Sequence, residues 1–278
     1  MTPEQEKIAA ERIDRIKRAK PGPDATVQEK IKWLNSANLS KEKIRCVDKI
    51  TAKEYAKEVL GDRISVAKTL SIVGPSASDI LNINLDELPK SFLLKKNAGC
   101  RTNYICRNKA SFDKAKLSKM AESWMRGVPG INSAEFQYCY VNPMLFTEEC
   151  LIGESGDSLV DYRLWVFNGK CRFISVNAGF GWGAIQYFDP EFKPLWFSNG
   201  AHPPDNKEVF EKPRNLYQMV EMAEELSAPF KFVRVDLYNI DGVVYLGEFT
   251  FSPGGYSFKL VDKSGRSVDR EVGKWLEI

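Results

Sequence analysis

The sequence predicts an α+β protein whose second half is dominated by antiparallel sheet. Thr2, Thr26 and Thr51 each precede a glutamine or glutamate by three residues, and this capping box starts a helix. After residue 65 the apolar runs become short and are separated by proline, glycine and asparagine, which is typical of strands and turns. None of these runs leads into a glycine-rich helix start, so a doubly wound parallel sheet is not favoured.

Residues 1–25 are predicted to form a helix and a linker that precede the main domain at residues 26–278. A Pro-Gly-Pro run at residues 21–23 ends the helix. The apolar stripe of the helix is narrow and consists of Ala9, Ile13 and Ile16. Such a stripe is typical of a packing or association arm, which leaves a homo-oligomer open. A membrane-surface helix is less favoured because glutamates interrupt the basic face.

Composition argues against several classes of protein. The 278 residues are 43% hydrophobic and 28% charged, which is ordinary globular composition. The longest apolar stretches are far below the roughly 20 residues that cross a bilayer, and no secretory signal is visible. We therefore expect a cytoplasmic protein without a transmembrane segment. The net charge of +3 is too small to indicate nucleic-acid binding.

Histidine and cysteine chemistry is also disfavoured. The six cysteines are scattered and never form a C-x-x-C pair, so we expect them to be reduced core or strand residues. His202 is the single histidine and lies in a predicted loop, which does not favour a histidine-based zinc site or a serine-type triad. Lysines, arginines and carboxylates are left to carry the chemistry.

The most informative stretch is the hairpin predicted over Phe232–Phe251. Its first strand alternates, so that Arg234 and Asp236 lie on one face and their apolar neighbours on the other. A three-residue loop at Ile240–Gly242 would place Glu248 opposite Arg234 and diagonal to Asp236, on the same face. A two-residue loop would place the two carboxylates on opposite faces.

Two carboxylates and an arginine on one sheet face predict a magnesium site, because crowded charge is unfavourable unless something occupies it. Mg²⁺ takes one or two carboxylates and fills its other positions with phosphate oxygens and water. Asp236 and Glu248 suit that role, and Thr250 can add its hydroxyl. The alternative is a surface charge cluster that Arg234 alone satisfies.

At this hairpin the chain resembles the ATP-grasp superfamily, whose second carboxylate lies in an E-x-[NT]-x-x-P-G pattern, here Glu248–Gly254. It resembles more closely the TupA-like ATP-grasp family, named for a protein of teichuronopeptide biosynthesis. The resemblance covers roughly residues 26–278 and implies two α+β lobes, at about 26–147 and 148–278, with the nucleotide cleft between them. The matching stretches, in family order, are EKIKWLN (29–35), DKITAKEYAKE (48–58), LPKSFLLKKNAG (88–99), DYRLWVFNGK (161–170), PFKFVRVDLYN (229–239) and GEFTFSPGG (247–255).

The resemblance implies which residues bind the nucleotide. Lys49 looks like the lysine that reaches a phosphate from the first lobe, and Lys95 like the strand-borne lysine that touches the α-phosphate and the adenine edge. The hinge between the lobes matches a segment that begins at Glu148, in which backbone groups of Glu149 and Leu151 would bind adenine. Solvated surface lysines are the alternative for Lys49 and Lys95.

The resemblance also assigns the ribose and phosphate end of the site. Asp161 aligns with the acidic residue that holds the ribose hydroxyls, and Arg163 with a basic neighbour that faces the phosphates. The magnesium and phosphate end would be formed by Arg234, Asp236, Glu248 and Thr250. The two arginines are thus the candidate catalytic residues, and ATP and Mg²⁺ are the implied cofactors.

Two segments depart from the family pattern. The loop at residues 97–102 has a single glycine, whereas the family's loop is glycine-rich and carries histidine. Fewer free backbone amides are then offered to phosphate, although Arg101 can compensate. Residues 177–184 are apolar and glycine-rich where the family carries basic residues, and there Phe180 and Trp182 either cover a substrate or simply pack.

The activity implied by the resemblance is ADP-forming ligation of a carboxylate to an amine through an acyl phosphate. The family context suggests a polysaccharide precursor, such as a uronic acid joined to an amino acid. Positioning and electrostatics do most of this chemistry, so a chain with one histidine is suited to it. Two alternatives stay open: a kinase of similar fold that phosphorylates a sugar hydroxyl, and a nucleotide-binding partner without enzymatic activity.

Overall fold

The computed structural model describes residues 1–127, 130–151, 159–178, 185–200 and 210–278, and four helices lie within the first sixty residues. The helices there are α1 (Pro3–Arg18), α2 (Val27–Ala37), α3 (Lys41–Val47) and α4 (Thr51–Leu60). The capping boxes predicted at Thr2 and Thr26 are confirmed. The one predicted at Thr51 is wrong, because Thr51 lies inside α4 and its hydroxyl donates to the carbonyl of Arg45 at 2.7 Å.

The smaller of the two main sheets is four-stranded and antiparallel, with strand order β2-β5-β3-β4. Its strands follow a short strand, β1 (Ser65–Val66), that belongs to the other sheet. They are β2 (Thr69–Gly74), β3 (Phe92–Lys96), β4 (Asn103–Cys106) and β5 (Leu145–Glu149). Helix α5 (Lys114–Met125) packs on this sheet, where Phe92, Leu94 and Leu117 are buried together.

The larger sheet has six strands in the order β1-β11-β10-β6-β7-β8. Its further strands are β6 (Val160–Phe167), β7 (Lys170–Ala178), β8 (Ile185–Phe188), β10 (Phe232–Ile240) and β11 (Val243–Thr250). Short strands β9 (Phe197–Asn199) and β12 (Leu260–Asp262) pair separately, and the remaining helices are α6 (Leu216–Leu226) and α7 (Asp269–Gly273). Among the described strands of the larger sheet β1 alone pairs in parallel, so the predicted α+β class with dominant antiparallel pairing is confirmed.

The two faces of the larger sheet differ in chemistry. One face carries Val233, Val235 and Leu164, which are fully buried in a core shared with α4 and α6. The other face is aromatic at one end, where Phe167 and Phe232 are packed by residues of α2 and α7. At its opposite end the same face is polar. The aromatic half anchors the sheet, and the polar half is therefore free to serve a ligand.

Helix α1 packs against its own chain through the predicted apolar stripe. Ala9 is buried beside Ile131 and Phe136, and Arg12 donates to the carbonyl of Ile131 at 2.8 Å. The packing arm is thus present, whereas association with a second copy stays a prediction. No helix in the described ranges is both long and apolar enough to cross a bilayer.

The predicted division into lobes at about residues 147 and 148 also stays a prediction. Helices α3 and α4, assigned to the first lobe, contribute to the core beneath the larger sheet. The hydroxyl of Tyr55 in α4, for example, donates to the carbonyl of Leu226 in α6 at 2.9 Å. These contacts fix the loop after α3, which carries Lys49, relative to the polar face of the larger sheet.

Candidate active site

The hairpin of β10 and β11 brings the two predicted metal carboxylates together, but by a route that differs from the predicted one. Ile240 pairs with Val243, so the loop consists of two residues, Asp241 and Gly242, both with positive φ. The predicted three-residue loop is therefore wrong. A two-residue loop alone would put the carboxylates on opposite faces of the sheet.

A β-bulge at Gly247 restores the shared face. Leu237 pairs with Leu246, but Asp236 pairs with Glu248, so Gly247 is the extra residue on β11. Glu248 is consequently opposite Asp236, and not opposite Arg234 as predicted. A side chain at position 247 would place its Cβ 2.9 Å from the carbonyl oxygen of Asp236, which explains the glycine.

Arg234 holds the acidic side chains of this face in place. Its Nε donates to Asp236 Oδ1 at 2.7 Å and its Nη2 to Asp236 Oδ2 at 2.5 Å. The same Nη2 donates to Thr250 Oγ1 at 3.1 Å and lies 3.7 Å from Glu248 Oε1. The guanidinium also lies over the ring of Trp165, 5.8 Å from its centroid. The other three residues predicted for the phosphate and metal end thus all contact Arg234.

The pKa values of the two carboxyl groups are shifted in opposite directions. Asp236 is 3% exposed, and burial raises its pKa to about 7 even though Arg234 opposes the shift. Burial also acts to raise the pKa of Glu248, but Lys49 and Arg234 outweigh it, and the net shift is downward. Perturbed carboxylates that share one face are typical of sites that bind a cation or perform chemistry.

Strands β6 and β7 continue the polar face beyond Asp236. Arg163 is the strand partner of Asp236, and its Nε donates to Asp161 Oδ2 at 2.8 Å. Asp161 in turn pairs with Asn177 of β7. The Oδ1 atoms of Asp161 and Asn177 are both buried without a hydrogen-bond partner, and Asn177 is 4% exposed. These two neighbouring acceptors are therefore available to hydrogen-bond donors from outside the chain.

The first part of the chain supplies lysines to the other side of the cleft. Lys49 Nζ donates to the carbonyl of Gly99 at 2.7 Å and lies 3.6 Å from Glu248 Oε2. Lys49 and Lys95 line a cavity of about 200 Å³ together with Tyr238, Glu248 and the loop at residues 99–103. The structure thus brings both predicted lysines to the same cavity as Glu248, one of the two predicted metal carboxylates.

Glu148 lies in β5, where its side chain is buried between two lysines. Lys95 forms an ion pair with its Oε1, and Lys53 Nζ lies 2.5 Å from its Oε2. Lys53 was not predicted as a site residue, although it stands four residues after Lys49 in the segment that carries the resemblance. The two residues predicted to bind adenine through their backbone, Glu149 and Leu151, lie at the end of β5 and just after it. The backbone N–H of Glu149 donates to the carbonyl of Lys68 at 2.9 Å.

The oxygen donors of the hairpin fit Mg²⁺. Asp236, Glu248 and Thr250 offer two carboxylates and a hydroxyl, which matches the preference of Mg²⁺ for a few protein oxygens. Arg234 occupies two of the roughly four acceptor positions of Asp236, so others are left. In the described ranges no cluster of three histidine, cysteine or acidic side chains suits a metal, and the hairpin set itself has two carboxylates and a hydroxyl.

Some predicted features lie outside the described residues. Phe180, Trp182 and His202 belong to this group. The loop at residues 97–102 is described, and Asn97 anchors it, because its Nδ2 donates to Asp48 Oδ2 at 2.8 Å.

Lys49 and Lys95 line one cavity with Glu248, and Arg234 links Glu248 to Asp236, which agrees with the ATP-grasp fold that the motifs predict. A family model described as TupA-like ATPgrasp matches residues 29–277. The chain therefore belongs to the TupA-like ATP-grasp family, and the resemblance found from the motifs is confirmed. No curated protein matches the chain.

Solved structures with a similar fold are distant in sequence. The D-alanine–D-alanine ligase of Bacillus anthracis, complexed with ATP, is 17% identical over 79% of this chain and 55% of that one, with a TM-score of 0.43. The Helicobacter pylori D-alanine–D-alanine ligase is 14% identical over 82% and 56%, with a TM-score of 0.45. The ATP-grasp ligase PsnB, complexed with a precursor variant, Mg and ADP, is 10% identical over 81% and 58%, with a TM-score of 0.40. The chain thus spans a little over half the length of these proteins, and likeness at this level carries no argument about activity.

Proposed function

We propose that the protein is an ATP-dependent, ADP-forming ligase that joins a carboxylate to an amine. The observation that supports this most is the series of ion pairs that connects Lys49, Glu248, Arg234 and Asp236 beside the cavity. Cations and carboxylates in such contact are suited to a polyphosphate and its metal ion, because each charge then has a partner. Family membership over residues 29–277 supports the same assignment.

The proposed reaction begins with transfer of the γ-phosphoryl group of ATP to the substrate carboxylate. Arg234 and Arg163 then face the phosphoryl oxygens, where negative charge is greatest during transfer. The resulting acyl phosphate has a good leaving group, which a free carboxylate lacks. An amine displaces that phosphate and forms an amide. Each step needs cations and positioning, and neither step needs a histidine.

Side chains of the two sheets divide the binding work in this proposal. Asp236, Glu248 and Thr250 would hold Mg²⁺, which when bound neutralises phosphate charge and helps to orient the triphosphate. Lys49 and Lys95 would bind phosphate oxygens from the other side of the cleft, with the backbone of Glu149 and Leu151 at adenine.

From the family context, we propose that the carboxylate substrate is a sugar acid or polysaccharide precursor, and that the amine substrate is an amino acid or another amine. A cytoplasmic location is part of the proposal, since that is where ATP is available.

The test is release of ADP and phosphate by the purified chain against a matrix of uronic acids and amines with Mg-ATP. A ligase releases both products only when an acid and an amine are present together. If ADP forms with a sugar alone and the phosphate stays on the sugar, the protein is a kinase and the ligase assignment is wrong. ATP binding without acceptor-dependent ADP formation across the matrix would indicate a nucleotide-binding partner instead.

A further inference from the structure

Glu148 is shared by two lysines, and each lysine uses a different oxygen. Lys95 of β3 pairs with Oε1, and Lys53 of α4 lies 2.5 Å from Oε2. Lys53 also donates to Thr69 Oγ1 at 3.0 Å, and its ammonium group lies over the ring of Phe146, 5.4 Å from the centroid. These contacts hold Lys53 from several sides, so its position does not depend on Lys95.

The three side chains carry an excess of one positive charge. Among the described residues, Glu148 is the one carboxylate within 4.0 Å of either lysine. A buried group with an uncompensated cation is a site for an anion, because charges removed from water need partners. The excess charge is presented by Lys95, since Lys95 lines the cleft and its side chain is 21% exposed, against 14% for Lys53.

Because Glu148 is buried, the charge of its carboxylate depends on the lysines that pair with it. Its side chain is 6% exposed. Burial alone would raise the pKa of this carboxyl group, but Lys95 and Lys53 outweigh burial and lower it. The carboxylate is therefore charged, and removing all its cations at once would be strongly unfavourable. A lysine that leaves Glu148 to bind a ligand needs a second cation to stay behind.

We propose that Lys53 is a positioning residue, which keeps Glu148 paired so that Lys95 can exchange this carboxylate for a phosphate oxygen of the nucleotide. The inference rests on the proposed function, because it takes ATP as the ligand of the cleft. It assigns to Lys53 an effect on ATP that is exerted through Glu148 and not by contact with the nucleotide.

The experiment measures ATP affinity of the full chain by calorimetry in the presence of Mg²⁺, together with Tm. We expect Lys53→Met to weaken ATP binding by about tenfold, the size of one hydrogen bond to a charged group. Lys53→Arg should restore most of the affinity because it keeps the cation. Lys57→Met, on the same helix but with a side chain that is 40% exposed and pairs with Asp62, is the matched control and should leave the affinity unchanged.

A positioning role is separated from a purely structural one by repeating the substitution in a Glu148→Gln background. There Lys53→Met should have no further effect on ATP affinity, because no carboxylate is left to hold Lys95. An equal loss in both backgrounds, or no loss in either, overturns the inference. If Lys53→Met does not fold, Lys53→Gln carries the same test, since it keeps a hydrogen-bond donor but removes the charge.

Failure of the inference and failure of the proposed function give different results. If the wild-type chain does not bind Mg-ATP, the proposed function fails. If it binds Mg-ATP and the Lys53 variants bind equally well, the ligand assignment stands and the role of Lys53 is refuted.

Discussion

Replacing Gly247 with alanine tests the bulge that brings Asp236 and Glu248 to one face. The new Cβ would lie 2.9 Å from the carbonyl oxygen of Asp236 and 3.3 Å from a ring carbon of Tyr238. The first of these atoms is backbone and cannot move without moving strand β10. We therefore expect an overpacking cost of about 1–3 kcal/mol in the free energy of unfolding.

The assay is thermal unfolding with and without Mg-ATP. For a chain of this size each kcal/mol lowers Tm by about 2–4 °C. The stabilisation that Mg-ATP gives to the wild type should shrink or vanish in Gly247→Ala, because Glu248 is displaced from Asp236. Gly22→Ala is the matched control, since a Cβ there meets nothing within 4 Å. An unchanged Tm together with an unchanged response to Mg-ATP would refute the reasoning.

Three further predictions concern single side chains. Asp236→Asn and Glu248→Gln should each lower Mg-dependent ATP turnover by at least about a hundredfold. Glu248→Gln should leave Tm within a few degrees, because that side chain is 39% exposed. Activity near wild type in both variants would remove the two residues from the metal site. Burial lowers the pKa of Lys43 to about 7 in the folded chain, below the 10.5 of an ordinary lysine. The unfolded chain therefore binds more protons than the folded chain between pH 7 and 10.5. The free energy of unfolding of the wild type, minus that of Lys43→Met, should rise with pH across this window by at most about 1.4 kcal/mol per pH unit, as measured by denaturant titration. A difference that does not change with pH contradicts the lowered pKa. Asn177→Ala should weaken ATP binding severalfold, and should leave the binding of either 2′-deoxy-ATP or 3′-deoxy-ATP unchanged, because one acceptor serves one ribose hydroxyl. The control is Gln186→Ala, which removes another unpartnered buried oxygen from the same sheet. This control should change neither the binding of ATP nor that of the deoxy nucleotides.

Local features of the fold could be predicted from the sequence where neighbouring residues decide the structure. The capping boxes at Thr2 and Thr26 were confirmed because each needs only residues three positions apart. Thr51 follows the same pattern, but tertiary structure places it inside α4 with its hydroxyl on Arg45. The pattern of spacing carries no information about that competing acceptor.

The site was predictable in its residue types but not in its geometry. The alternation in β10 correctly placed Arg234 and Asp236 on one face, yet the loop length was wrong and the bulge at Gly247 was not foreseen. A bulge depends on how two strands meet, and one strand's sequence does not determine it. Lys53 was missed for a similar reason, because its partner Glu148 is distant in sequence and approaches only in the folded chain.

The compensation between the turn and the bulge has a consequence for how this hairpin can change in evolution. Compared with a three-residue turn and a regular strand, the two-residue turn at Asp241–Gly242 shifts the pairing of β11 by one residue, and the extra residue Gly247 shifts it back. Glu248 therefore stays on the face that carries Asp236. An insertion in the turn that keeps the bulge would rotate the second acid out of the cleft. Relatives with a three-residue turn are therefore expected to lack the bulge, so that insertions at one end of β11 accompany deletions at the other.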